Sequence, residues 1–252
     1  MTKFILLAAR RSGSTLLIDY LNYHPQIECV KRAFGLERKI KNPTPDEHSG
    51  GFYQYRTRSL SNRIRYVMRR NRLINDFLSE DIFMPRQNIS AVGFRLTYEM
   101  SSKYPQIIEW AKENDVQVIH LVRHNILKTY VSTVSAPIHK MHHPREGDTI
   151  KTAKIRIEPR NVLEILSRRV WEIEHRRQQF SECMYHELGY EKLVSNSDEE
   201  LGKIQRLLGT GAEKQLTSDL VKINPESLAE TIENFHEIRD VLSGTPYEKF
   251  LE

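Results

Sequence analysis

The apolar positions of this chain follow two rhythms. Phe4 to Ala9 is an unbroken apolar run of strand length, which suits a strand buried on both faces. Leu16, Leu17, Tyr20 and Leu21 then recur at helical spacing. The alternation returns further along. AVGFRL (91–96) and VQVIHLV (116–122) read as buried strands, the second rich in β-branched residues. A helix is expected from Ser101 to Asn114, with Ile107, Ile108 and Trp110 among its apolar positions. Another should start near Asn125, a good N-cap residue. Val162, Ile165, Leu166, Val170 and Ile173 mark one stripe of a long helix from about Pro159 to Met184. ELGYEKL (187–193) reads as a strand, and DEELGKIQRLLG (198–209) as a helix closed by its glycine. A last helix is expected from Pro225. Two stretches break the rhythm. Residues 35–57 and 136–152 read as long loops, the first as a lid. Strands alternating with helices predict an α/β fold, a central parallel sheet with helices on both faces, as one domain over residues 1–252.

In such sheets ligands bind at the carboxyl ends of the strands. Two segments fall there: Arg10-Arg11-Ser12-Gly13-Ser14-Thr15 and the turn at 123–125. The first joins a strand end to a helix N-terminus, where backbone N–H groups are unpaired and the helix dipole is positive. Gly13 permits a tight turn or close approach to a ligand. Ser12, Ser14 and Thr15 add hydroxyls and the arginines add charge. That set suits a phosphate or sulfate group, although an ordinary Ser/Gly turn capping a helix has the same composition. The ATP- and GTP-binding pattern G-x-x-x-x-G-K-[ST] and the dinucleotide pattern G-x-G-x-x-G are both absent.

Charge narrows the partners. The 252 residues carry a net charge of +5, which favours an anionic ligand without naming it. The segment YRTRSLSNRIRYVMRRNR (55–72) is densely basic. It reads first as a solvated helix face; the functional reading is a surface that serves an anionic acceptor or a homodimer equally well. Its aromatics are not interleaved as in a single-strand binder, so no nucleic-acid partner is expected. Two cysteines are too few for a disulfide scaffold. No apolar run approaches the ~20 residues of a membrane span, and no signal-peptide pattern opens the chain. A cytoplasmic protein is expected.

The loop R-S-G-S-T-L-L after an N-terminal strand resembles the 5′-phosphosulfate loop of sulfotransferases that use 3′-phosphoadenosine 5′-phosphosulfate (PAPS). The likeness is greatest to the bacterial and plant branch of the trehalose and Nod-factor enzymes. VIHLVRHNILKTYVS (118–132) is similar to the family's 3′-phosphate segment. IRIEPRNVLEIL (155–166), LGYEKLVSN (188–196) and IENFHEIRDVLSGTPYEKFL (232–251) resemble three further stretches in the same order. The resemblance implies sulfuryl transfer from PAPS to a hydroxyl, or an amine, of a carbohydrate or small natural product, leaving PAP and needing no metal. It implies that Arg11, Ser12, Gly13, Ser14 and Thr15 hold the 5′-phosphosulfate, with Arg11 stabilising the leaving group. Arg123 and Ser132 would hold the 3′-phosphate, and Tyr190 would lie near the adenine. Ser132 stands nine positions after Arg123, where many relatives have eight.

The general base departs from the pattern. Relatives often carry H-P-x-I-x-C-x-x-E-x-F, whereas HPQIECVKRAF places Arg32 where the glutamate is expected. Glu37 and His143 are the candidates, with Glu28, His24 and the other histidines of the 139–143 loop behind them. Arg32 can instead pair with an anionic acceptor, or the protein binds PAPS without turnover. The spacing of His139, His142 and His143 also allows zinc on a helix, but Pro137 and Pro144 bracket them.

Overall fold

A computed structural model describes residues 1–34, 51–139, 154–211, 215–218 and 227–251. Five strands build one sheet: β1 (Thr2–Ala8), β2 (Ile27–Val30), β3 (Ala91–Thr97), β4 (Gln117–Val122) and β5 (Met184–Gly189). Their order is β2-β3-β1-β4-β5, and every pairing is parallel. The expected α/β architecture is the one observed. β1 lies at the centre, which explains why Phe4–Ala8 reads as a continuous apolar run rather than an alternating one.

Helices cover both faces. Ile5, Leu7, Val92, Phe94 and Val118 point to one core, shared with Leu73 and Phe77 of α4 (Arg70–Phe77) and Ile107 and Trp110 of α6 (Gln106–Glu113). Phe4, Leu6, Ile119 and Leu121 point to the other, against Leu17 and Leu21 of α1 (Ser14–Tyr23), Leu193 of α9 (Tyr190–Ser195) and Leu201 of α10 (Ser197–Leu207). A third cluster joins α7 (Ile126–His139) to Val162 and Leu166 of α8 (Pro159–Gln179) and to α12 (Phe235–Leu242). Before β3, α2 (Phe52–Thr57) and α3 (Leu60–Met68) lead into α4.

Several expectations are corrected. The helix expected over 101–114 is two helices, α5 (Tyr98–Lys103) and α6, because Pro105 cannot donate into a continuing helix and disfavours helical backbone at Tyr104. The long helix ends at Gln179 rather than Met184; residues 180–183 turn, and Met184 opens β5. The strand expected over 187–193 stops at Gly189, so Tyr190 opens a helix. β2 was not anticipated. Part of the first expected loop is helical, since α2 covers 52–57, and α7 runs through Pro137 to His139. The basic segment 55–72 is not one helix face but is divided among α2, α3 and α4. The start expected at Pro225 lies outside the described residues, and helix α11 runs Leu228–Thr231.

A polar chain runs from the buried His120 of β4 through β5 to the surface. His120 is fully buried. Its Nε2 meets the Tyr98 hydroxyl, and its Nδ1 lies 2.6 Å from the Tyr185 hydroxyl. Tyr185 donates to Glu187 at 3.1 Å, and Arg177 holds that carboxylate through two nitrogens at 2.7 and 2.6 Å. Tyr185 has one proton to give and gives it to Glu187. The Nδ1 of His120 therefore carries the hydrogen, and Nε2 accepts from Tyr98.

Candidate functional site

Sheet order brings the two predicted segments together. β1 and β4 are neighbours, and β5 pairs with β4 on its far side. The 10–15 loop, Arg123 and Tyr190 follow the carboxyl ends of these three adjacent strands.

The loop is shaped by its backbone. Gly13 has φ +92° at the N-cap of α1, and Arg11 has φ +64°. A left-handed arginine is uncommon and costs on the order of 1 kcal/mol or more. Gly13 is required for a second reason. A Cβ there would lie 2.3 Å from Cδ2 of Tyr190, so the tyrosine ring packs directly on the glycine backbone. No side chain caps α1, and its first turn carries no acid. That N-terminus is left suited to an anion. The Ser12 hydroxyl is fully buried and donates to Ala9 O at 2.8 Å. Ser12 thus braces the loop, and what it offers a ligand is its backbone. Ser14 is buried in the first turn.

The 3′-phosphate candidates converge on the same place. Nε of Arg11 donates to Oγ of Ser132 at 3.0 Å, across 121 residues of chain. The Arg123 guanidinium sits 4.8 Å from the centre of the Tyr190 ring. Burial lowers the Arg11 pKa, and the nearby Arg123 charge lowers it further. The helix that carries Ser132 is capped as the sequence predicts, with Asn125 Oδ1 accepting from Lys128 N at 2.9 Å. Glu191 adds a brace: its two oxygens accept from the backbone N–H groups of His124 and Asn125 at 3.1 and 3.0 Å. That link holds the residues beside Arg123 and Tyr190 in register with each other.

The candidate bases fare differently. Glu37 and His143 lie outside the described residues, as do His142 and the side chain of His139. Glu28 is taken by Arg86 at 3.1 Å. His24 ends α1, is buried, and accepts from Gln26 N at 3.1 Å through Nδ1. Among the described residues no group of three His, Cys, Asp or Glu could hold a metal.

Arg95 and Arg169 were among the residues missed by sequence reasoning. Arg95 of β3 stands beside Leu6 in the register and shares a sheet face with Cys29 of β2. Burial lowers its pKa, and the charges of Arg32 and Arg10 lower it further against the opposing effect of Cys29. Arg10 is itself paired with Glu99 at 2.8 Å. Arg32, exposed at the position of the expected glutamate, thus stands near a second arginine. On the other side, Arg169 of α8 lines a cavity of about 20 Å³ together with Ser12 and Arg123, room for about one water.

Residues 4–214 match the family described as "Sulfotransferase family". The chain belongs to that family. A sulfotransferase from Alicyclobacillus acidocaldarius is similar in structure, with a TM-score of 0.49 at 13% identity, over 100% of this chain and 96% of that one. The sulfotransferase domain from the curacin biosynthetic pathway gives a TM-score of 0.46 at 14% identity, over 83% and 74%. No curated protein sequence matches the chain.

Proposed function

We propose that this member of the family transfers a sulfuryl group from PAPS to a hydroxyl, or an amine, of a carbohydrate or small natural product. The observation that carries the reading is the meeting of Arg11, Gly13, Arg123, Ser132 and Tyr190 at one edge of the sheet. Two nearby arginines beside an uncapped helix N-terminus fit a ligand with more than one anionic group. The α1 N-terminus and Arg11 would hold the 5′-phosphosulfate, Arg123 and Ser132 the 3′-phosphate, and Tyr190 the region of the adenine. PAPS supplies the sulfuryl group on a phosphate leaving group. Arg11 would neutralise the charge that grows on that phosphate as its bond to sulfur breaks. The acceptor proton passes to a base, for which Glu37 and His143 stay the candidates. The free cysteines, Cys29 and Cys183, are in keeping with a cytoplasmic protein.

Calorimetric titration with PAP in EDTA tests the donor site, with AMP as the control. PAP is expected to bind far more tightly than AMP without Mg²⁺. Arg123→Ala should cost about 1.5–3 kcal/mol of PAP affinity, the scale of a hydrogen bond to a charged group, and leave AMP nearly unchanged. Equal binding of PAP and AMP by the unaltered protein would overturn the reading.

Arg32 and Arg95 bear on the acceptor. With Arg32 where relatives carry a carboxylate and Arg95 near it, an acceptor bearing its own negative charge is expected to be turned over faster than its neutral counterpart. Competition between a carboxylated saccharide and its neutral analogue reads this directly. The same residues favour a second reading, a protein that binds PAPS without turnover. Tight PAP binding with no sulfated product from either acceptor would select it.

A further inference from the structure

None of the nine residues of α3 is buried, and Tyr66 is the hydrophobic side chain by which the helix packs on Phe52 and the core. Its start is fixed locally, by Ser59 Oγ accepting from Asn62 N at 3.1 Å. Leu60, Ile64, Val67 and Met68 fall at i, i+4, i+7 and i+8, the spacing of a single helix face. A surface helix normally turns that face to the core. Here the four side chains are 72, 51, 83 and 76% exposed. The ridge is flanked by exposed Arg63, Arg69 and Arg72, and none of these forms an ion pair among the described residues. Arg65 of the same helix pairs with Asp76, which is the single acidic residue between positions 51 and 77.

The occupant must suit both the ridge and its charge. A second copy of this chain would set the same arginines against each other. A nucleic acid would use the arginines but has no place for a continuous aliphatic ridge. An anionic lipid surface takes both, with apolar side chains entering the acyl boundary and guanidinium groups resting on phosphates. No described helix is long and apolar enough to cross a membrane, so the contact is one of lying on the surface. We infer that α3 docks this protein on anionic lipid bilayers, with Leu60, Ile64, Val67 and Met68 inserted and Arg63, Arg69 and Arg72 on the headgroups. The placement suits the fold. Phe52 N donates to Ala33 O at 2.7 Å, so α2 and α3 hang from the turn just past the carboxyl end of β2. That is the edge of the sheet that carries the candidate site.

Co-sedimentation of the full chain with vesicles tests this. Binding is expected to phosphatidylglycerol/phosphatidylcholine vesicles and not to phosphatidylcholine alone. Ile64→Glu/Val67→Glu should weaken it at least about tenfold. Arg63→Gln, Arg69→Gln and Arg72→Gln should each weaken it about fivefold, the equivalent of about 1 kcal/mol per basic residue at a charged surface. All five sites are exposed, so circular dichroism and thermal unfolding should not change, which separates lost docking from lost folding. Failure to bind the anionic vesicles would overturn the proposal, and so would binding that the double glutamate variant leaves intact. A dimer in light scattering that the glutamate variant dissociates, without lipid binding, would give the ridge to a second copy instead. Binding to duplex DNA that ignores the glutamates, again without lipid binding, would give the arginines to nucleic acid. Either result overturns it.

Discussion

Arg11→Ala is expected to lower the rate of sulfuryl transfer by about 10²–10³-fold at saturating PAPS, the loss typical when a group stabilising developing charge is removed. The argument rests on where the side chain is held. Its backbone sits in the left-handed region at φ +64°, and its Nε is tied to Ser132. Burial and the neighbouring Arg123 both oppose its charge. A guanidinium kept charged in such a place is most useful when negative charge appears beside it. In the proposed reaction that happens as the sulfur–oxygen bond breaks. The effect should therefore fall on turnover more than on PAP affinity, whereas Arg123→Ala should do the reverse. Arg11→Lys keeps the charge without the two-pronged donor and should recover part of the loss. Initial rates alongside PAP titrations separate these cases. Near-normal turnover of the alanine variant would remove Arg11 from the chemistry.

The second large effect concerns stability. Burial lowers the pKa of His120 from 6.5 to about 4, opposed by the charge of Glu187 and aided by Arg177 and Arg176. The unfolded chain therefore binds a proton between these values that the folded chain refuses. Stability is fully present above pH 6.5 and is lost as pH falls toward 4. The loss amounts to about 3 kcal/mol, a large share of a domain's usual margin. Urea unfolding at pH 7.5, 6.5, 5.5 and 4.5 measures it. His120→Asn should be less stable at pH 7.5, because Tyr98 and Tyr185 lose their buried partner. Its stability should also fall less between pH 6.5 and 4.5 than that of the unaltered protein. Parallel slopes for the two proteins would show that His120 is not the group responsible.

The sheet was legible where a strand was long and mostly apolar. Phe4–Ala8 and the 117–122 strand carry that signal because both faces are covered. β2 has only four residues, one of them Glu28, and such a strand cannot be told from a loop by periodicity. The limit of β5 was misread because Tyr190 and Leu193 are apolar positions that serve a helix packed on the same core. At the site, the 10–15 loop was legible because glycine, hydroxyls and arginines in that order have a chemical meaning. Arg95 was not. It is one polar position in AVGFRL, and only the pairing of β3 with β1 and β2 brings it near Arg10 and Arg32. Glu191 and His120 were missed for the same reason, since each acts through a partner about 65 residues away.

The central place of β1 has a consequence for biosynthesis. Its two neighbours begin at Ala91 and Gln117, so during translation it leaves the ribosome long before either exists. Through that interval the nascent chain exposes an apolar ribbon with both hydrogen-bonding edges open, the kind of segment that chaperones hold and that otherwise aggregates. Helices α1 to α4 can form meanwhile from local contacts, but the sheet must wait for closure over long stretches of chain, which is slow. Yield in a foreign host should therefore depend on the pace of elongation and on chaperone supply.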